Sequence, residues 1–406
     1  MPEAVIVSTA RSPIGRARKG SLIDMRPDDL TAAMVRAALD KVPELDAADI
    51  EDLMLGCGQP AGESGFNMAR TVAVMLGMDH VAGVTLNRYC SSSLQTSRMA
   101  MHAIKAGEGD VFISAGVETV SRFDRGSADG WPDTTNPRFA DAGRRTEQAA
   151  AGGGPTWHDP REDGALPDVY LQMGQTAENV ASFRGVSRAD QDEFGVRSQN
   201  LAEQGIANGF WATDITPVTL PDGSSVSTDD GPRAGVTLDK VSGLQPVFRP
   251  DGTITAGNCC ALNDGAAAVI IMSDTKARQL GLTPLARIVS TGLTGLSPEI
   301  MGLGPVEASR KALANAGMSI GDIDLVEINE AFAAQVIPSA RDLGVPWDKL
   351  NINGGAIAIG HPFGMTGARI TSTLINSLRF HDKQFGLETM CVGGGQGMAM
   401  VLERLS

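Results

Sequence analysis

LNRYCSSSLQTSRMAMHAIKA, residues 86–106, sets the frame for the whole chain. The apolar run Gly83-Val84-Thr85-Leu86 predicts a strand, and a polar elbow holding Cys90 follows it. Leu94, Ser97, Met101 and Ile104 then recur at three- and four-residue spacing, the period of one helix face. This puts Cys90 at a helix N-terminus, where unpaired backbone N–H groups and the helix dipole favour a thiolate. Taken alone the cysteine fits equally well as a small buried hydrophobe. The surrounding chain decides between the two.

Upstream, residues 4–9 (AVIVST) read as a buried strand and residues 28–41 as a helix with Leu30, Met34, Val35, Ala38 and Leu39 on one face. A strand at 50–56, a small-residue helix at 67–76 and a strand at 110–116 complete a β-α-β alternation, which predicts a mostly parallel sheet covered by helices. From residue 119 to about 250 the texture changes: Gly/Pro-rich pieces recur, three of the four Trp fall here, and cysteine is absent. Two helices are predicted within this stretch, 173–183 and 188–208, the second N-capped by Ser187. It reads as an inserted subdomain.

After a buried strand at 266–272 the chain begins again. Residues 286–291 (ARIVST) echo residues 4–9, and 310–313 followed by 321–327 echo 36–39 followed by 48–54. Residues 349–355 stand where 85–90 stood, and 385–395 where 111–118 stood. Two copies of one α/β unit form a pseudo-symmetric body whose equivalent loops meet at the interface. The expected division is 1–118 plus 251–273 as one half, 119–250 as the inserted loop domain, and 274–406 as the second half.

The 406 residues exceed one compact core, and their 42% apolar and 20% charged content is that of a soluble globular protein. A net charge of −14 argues against a general nucleic-acid binder. Five cysteines, an odd number without CxxC spacing, predict a reducing, cytoplasmic setting rather than a disulfide framework. The five histidines show no ligand spacing, so no metal is expected. The first residues run straight into a strand, so neither a signal peptide nor a membrane-spanning stretch is expected.

The second copy supplies three polar loops: NEAFA at 329–333, GGAIAIGHPFG at 354–364 and CVGGGQG at 391–397. Neither glycine-rich loop is a P-loop or a dinucleotide fingerprint. Their glycines instead let backbone N–H groups approach a ligand closely. Cys90, His361 and Cys391 together suit acyl transfer: a thiol nucleophile, an imidazole that takes its proton, and a second thiol acting as acid or base towards carbon.

Along nearly its full length the chain resembles a thiolase. The resemblance rests on NRYCSSSLQ, GVETVSR at 116–122, MGQTAENVA at 173–181, GNCCALNDGAAA at 257–268, NEAFA, GGAIAIGHPFGMTGAR and CVGGGQGMA, all in the family's order. It implies a layered αβαβα fold of two mixed-sheet halves with shared central helices. It implies that Cys90 carries the acyl group, that His361 takes its proton, and that His361 forms one oxyanion hole with a water held by Asn329. Cys391 would exchange the substrate α-proton, and the N–H groups of Cys90 and Gly393 would form a second oxyanion hole. Phe332 would line the reacting centre, with Met173, Phe248 and Cys260 along the pantetheine path. No cofactor is implied, since coenzyme A and acyl-CoA are the substrates. A homodimer or homotetramer is implied, and a hydratase/dehydrogenase partner is left open.

Two positions depart from the family pattern: Ser93 stands where glycine is usual, and Cys260 where a serine usually contacts pantetheine. Ser93 would either be tolerated or narrow the site. Cys57 and Cys259 are expected to be structural. The competing readings are a ketoacyl-synthase-like condensing enzyme, a non-catalytic CoA-binding scaffold, and a nicotinamide-dependent enzyme. The second catalytic cysteine argues against the first, the intact Cys90, His361 and Cys391 against the second, and the missing fingerprint loop against the third.

Overall fold

The structure is a computed structural model and describes residues 2–129, 131 and 133–406. Nine strands carry the architecture. The first five are β1 (Ala4–Arg11), β2 (Asp52–Cys57), β3 (Ala82–Leu86), β4 (Val111–Thr119) and β5 (Asn263–Ser273). The others are β6 (Ala286–Gly295), β7 (Leu325–Ile328), β8 (Phe385–Val392) and β9 (Gln396–Arg404). Their spatial order is β7-β8-β9-β6-β1-β5-β4-β2-β3, with the short strand Gly15–Arg16 paired to the start of β5.

The repeat is visible in this order. Outward from the centre, β1-β5-β4-β2-β3 is matched by β6-β9-β8-β7 and a parallel bridge from Val326 to Leu350. Among the described residues, the halves share a ladder only at Val5–Arg287 and Ile6–Ala286. Where the β-α-β alternation predicts a mostly parallel sheet, the sheet is mixed. β5 runs antiparallel to β1 and β4, and β9 antiparallel to β6 and β8. The reason is connection length: β8 turns into β9 through Gly393, Gly394 and Gly395, far too short for a parallel crossover. Cys391 therefore lies inside β8, opposite Gly397, rather than between two strands.

Eight helices complete the frame: α1 (Pro27–Leu39), α2 (Met68–Met75), α3 (Ser92–Ala106), α4 (Met173–Arg184), α5 (Arg188–Ala207), α6 (Gly304–Ala316), α7 (Ala333–Leu343) and α8 (Thr366–Phe380). Strand residues alternate between two layers, which is why the strands read as unbroken apolar runs. In β5, Ala266, Ala268, Ile270 and Met272 pack with α1 and α2, while Ala267, Val269 and Ile271 face the centre. There they meet Leu94, Met101 and Ile104 of α3 and Ile370, Leu374 and Leu378 of α8. α6 and α7 cover the far side of β7 to β9 through Ala312, Leu313, Val336 and Ala340. The result is helix, sheet, central helices, sheet, helix.

Between β4 and β5 lies the insert. Ser187 caps α5 through a reciprocal capping box with Asp190, as its position predicts. A polar helix at Ala140–Ala150 also forms, which apolar periodicity gives no means of finding, because only Ala142 of it is buried. The insert is held by ion pairs: Arg11 of β1 donates from Nε to Asp214 at 2.8 Å and from Nη1 to Asp229 at 2.5 Å. Asp214 also accepts from Ser372, Thr373 and Asn376 of α8. Among the described residues, no helix is long and apolar enough to cross a membrane.

Breaking a buried, multiply bonded ion pair strands its partners away from water. Asp214→Ala is expected to lower unfolding free energy by about 3 kcal/mol or more, read from urea titration of both proteins. An unchanged midpoint would remove this network from the stabilising contacts.

Candidate active site

Between β3 and α3, Tyr89, Cys90 and Ser91 form a single 3₁₀ turn. Tyr89 has φ 45°, a left-handed backbone unusual for a bulky side chain. Local polar residues hold it: the Tyr89 N–H donates to Asn87 Oδ1 at 2.6 Å. Ser92 Oγ accepts from the Arg88 N–H at 2.8 Å and donates to the Tyr89 carbonyl at 2.7 Å. The elbow turns Cys90 inward, leaving it 6% exposed.

The Gly393 N–H and the backbone N–H of Cys90 itself both point at the Cys90 sulfur and favour its anion. Burial opposes them more strongly, with the nearby Glu118 adding to it, and pushes the thiol up to about 12. The expectation of a resting thiolate is thus corrected: desolvation outweighs the helix terminus, and Cys90 rests as a neutral thiol.

His361 lies in the loop leading to α8. Its backbone N–H donates to Asn263 Oδ1 at 2.9 Å, and its Nδ1 lies 2.6 Å from Thr366 Oγ1. Thr366 donates its own proton to the Pro362 carbonyl at 2.7 Å, so its oxygen is left to accept from His361 Nδ1–H. That contact assigns the proton to Nδ1 and leaves Nε2 as the acceptor nitrogen. Burial, followed by the Arg369 charge, lowers the imidazole to about 3. Asn329 Nδ2 lies 3.4 Å from both ring nitrogens. Its Oδ1 accepts from Arg369 at 3.4 Å, and its backbone carbonyl accepts from Gln335 at 2.7 Å.

Cys391 is fully buried, and burial followed by the neighbouring Cys90 raises its thiol. A cavity of about 780 Å³ opens onto this group, lined by Cys90, His361, Met173, Phe248, Cys260 and Phe332. Asn329, Cys391 and Gly393 stand behind its wall rather than on it. Further along, Met301, Leu244, Arg16, Arg233 and Lys240 also face the space. So does Cys259, whose backbone pairs across a bridge with Phe332. Cys57 is buried beside Glu118, in keeping with a structural role. Ser93 is buried outside the cavity lining and does not narrow it.

Three supporting residues escaped the sequence reading. Thr366 follows His361 by five positions within GHPFGMTGAR, and Arg369 stands in the same motif. Glu118 of GVETVSR accepts from the N–H groups of Gly58, Gln59 and Gly364 at 2.8, 3.1 and 2.9 Å. Burial raises it to about 7 against those N–H donors. It ties the His361 loop to the ends of β2 and β4.

Residues 4–275 match the family model of the thiolase N-terminal domain, and residues 282–404 that of the thiolase C-terminal domain. The chain belongs to the thiolase family. It is 43% identical to a 3-ketoacyl-CoA thiolase of Bacillus subtilis (strain 168), over 99% of this chain and all of that one. It is also 43% identical to the 3-oxoadipyl-CoA/3-oxo-5,6-dehydrosuberyl-CoA thiolase of Escherichia coli (strain K12), over the full length of both. The crystal structure of the Bacillus anthracis acetyl-CoA acetyltransferase superposes with a TM-score of 0.85 at 36% identity, covering all of this chain and 99% of that one. The five-layer thiolase fold expected from the sequence is the fold found.

Two outcomes follow from the His361 environment. Thr366→Val removes the acceptor that assigns the imidazole proton and is expected to lower turnover about tenfold to a hundredfold, with the fold retained by circular dichroism. The folded imidazole titrates near 3 and the unfolded one near 6.5. Between these values the unfolded chain binds the extra proton, so stability is lost as pH falls. Melting from pH 7 to pH 4 should therefore cost wild type more than His361→Asn, by about 3 kcal/mol; parallel losses would contradict the assignment.

Proposed function

We propose that this thiolase-family chain is a working acyl-CoA C-acyltransferase that condenses two acetyl-CoA to acetoacetyl-CoA and CoA, or cleaves a 3-ketoacyl-CoA with CoA. The observation that carries this reading is that Cys90 and His361, from the two halves, line one apolar cavity, with Cys391 buried beside Cys90. The thiolase names of the relatives support the substrate class.

In thiolysis, Cys90 Sγ bonds to the 3-keto carbon while His361 Nε2 takes the thiol proton. The C2–C3 bond then breaks. The acyl group stays on Cys90 as a thioester, and the departing acetyl-CoA enolate takes the Cys391 proton at carbon. Cys391, now a thiolate, accepts the proton of incoming CoA, whose sulfur attacks the acyl group. Cys90 leaves as the thiol by recovering its proton from His361.

Condensation runs the same steps in reverse, with Cys391 removing the α-proton of the second acetyl-CoA. The N–H groups of Cys90 and Gly393 would stabilise the oxygen that becomes negative on the acyl-enzyme. Asn329, beside His361, would hold the water that completes the other oxyanion site. Met173, Phe248, Cys260 and Phe332 would line the pantetheine and acyl path. No resident cofactor enters these steps.

Self-association belongs to the same reading. β3 ends the sheet, and Phe66 beside it is 99% exposed. The scaffold reading loses its local support, because Ser93 lies outside the cavity.

Steady-state thiolysis of acetoacetyl-CoA and of longer 3-ketoacyl-CoA tests the proposal. Wild type should release acetyl-CoA with at least one of them, and Cys90→Ala should lose turnover while melting normally. Cys391→Ala should no longer exchange the α-protons of acetyl-CoA with deuterated solvent, followed by NMR. Full activity of Cys90→Ala, or undiminished exchange in Cys391→Ala, would overturn the assigned roles.

A further inference from the structure

We infer that Ser93 is a positioning residue, a hydroxyl clamp that fixes Cys90 against His361 across the two halves; the inference rests on the thiolase reading above. The two groups come from different copies of the repeat. Cys90 precedes α3 of the first half, and His361 precedes α8 of the second. Nothing in either copy alone sets the distance between them.

The amides of a helix's first turn have no acceptor within the helix. α8 has no side-chain cap of its own, and Met365 at its N-cap position has no oxygen to offer. The buried Ala368 N–H in that turn instead donates to Ser93 Oγ of α3, at 2.8 Å. Ser93 is three residues beyond Cys90. Ala368 is two residues beyond Thr366, whose hydroxyl accepts from His361 Nδ1–H at 2.6 Å. The path from nucleophile to base thus runs through one turn of α3, one hydrogen bond, one turn of α8 and a second hydrogen bond.

The surroundings pack closely around Ser93. A Cβ on Gly116 of β4 would lie 2.4 Å from Ser93 Cβ and 2.6 Å from Ser93 Oγ. A Cβ on Gly367 would lie 2.1 Å from the Leu94 nitrogen. These glycines let the two helix starts approach closely enough for the hydroxyl to reach. The Ser93 carbonyl accepts from the hydroxyls of Thr96 and Ser114, which fixes the residue from its other side. The hydroxyl stays off the cavity wall and acts only through Cys90 and His361.

Ser93→Ala keeps the Cβ and deletes the oxygen. In single-turnover mixing with acetoacetyl-CoA, the variant is expected to acylate at least tenfold more slowly than wild type, with KM changed less than twofold. The pH midpoint of Cys90 alkylation by iodoacetamide should fall, as a looser contact admits water to the thiol. Ser93→Gly, which also lacks the oxygen, should show the same two effects and replaces Ser93→Ala if that variant does not fold. Wild type gives an independent check: the Ala368 amide should exchange with deuterium as slowly as mid-helix amides of α8.

A folded Ser93 variant with wild-type acylation and alkylation profiles would overturn the clamp, as would a loss confined to KM or a rapidly exchanging Ala368 amide. Alkylation uses no CoA thioester, so it reports on the clamp whatever the turnover. A wild-type protein without thioester turnover would contradict the proposed function instead.

Discussion

The close approach of α3 and α8 is the constraint on which the rest of this structure depends. Each helix is the central element of one copy of the repeat, and their first turns meet where glycine alone fits, at Gly367 against Leu94. That contact brings Cys90 and His361 to one point from positions 271 residues apart in the chain. The sheets serve it from both sides: alternate residues of β5 and β9 face the central layer, so the two halves share one core. The insert is tied to the same layer, since Asp214 bonds both Arg11 of β1 and three side chains of α8.

Burial at this meeting point also fixes the resting charge state. Desolvation raises both thiols and lowers the imidazole, so Cys90, Cys391 and His361 all rest uncharged. Such a site holds no standing ion pair for water to screen. In the proposed reaction, charge would arise only as the proton leaves Cys90. The N–H groups of Cys90 and Gly393 point at the Cys90 sulfur. Phe248, Phe332, Met173 and Met301 give the cavity a largely apolar wall.

Much of this was legible in the chain. The echo of residues 4–9 in 286–291 anticipates the central β1–β6 pair, and the elbow around Cys90 anticipates its turn into α3. Local periodicity and glycine-rich loops encode such features within a few residues. What stayed hidden depends on residues far apart in sequence. The antiparallel direction of β5 is set by its ladders with β1 and β4, distant in sequence, and the neutral state of Cys90 follows from burial by segments of both halves. The N–H donors to Glu118 and the partners of Arg11 lie up to 246 and 218 residues away. The helix at Ala140–Ala150 was missed for the opposite reason: it faces solvent and carries no apolar stripe.

The central claim is that Cys90 carries the acyl group. Intact mass spectrometry after brief exposure to acetoacetyl-CoA, followed by peptide mapping, tests it most directly. The account predicts one acetyl adduct located on Cys90, absent from Cys90→Ala and discharged when CoA is added. An adduct on Cys260 or Cys259, or one that persists in Cys90→Ala, would contradict it.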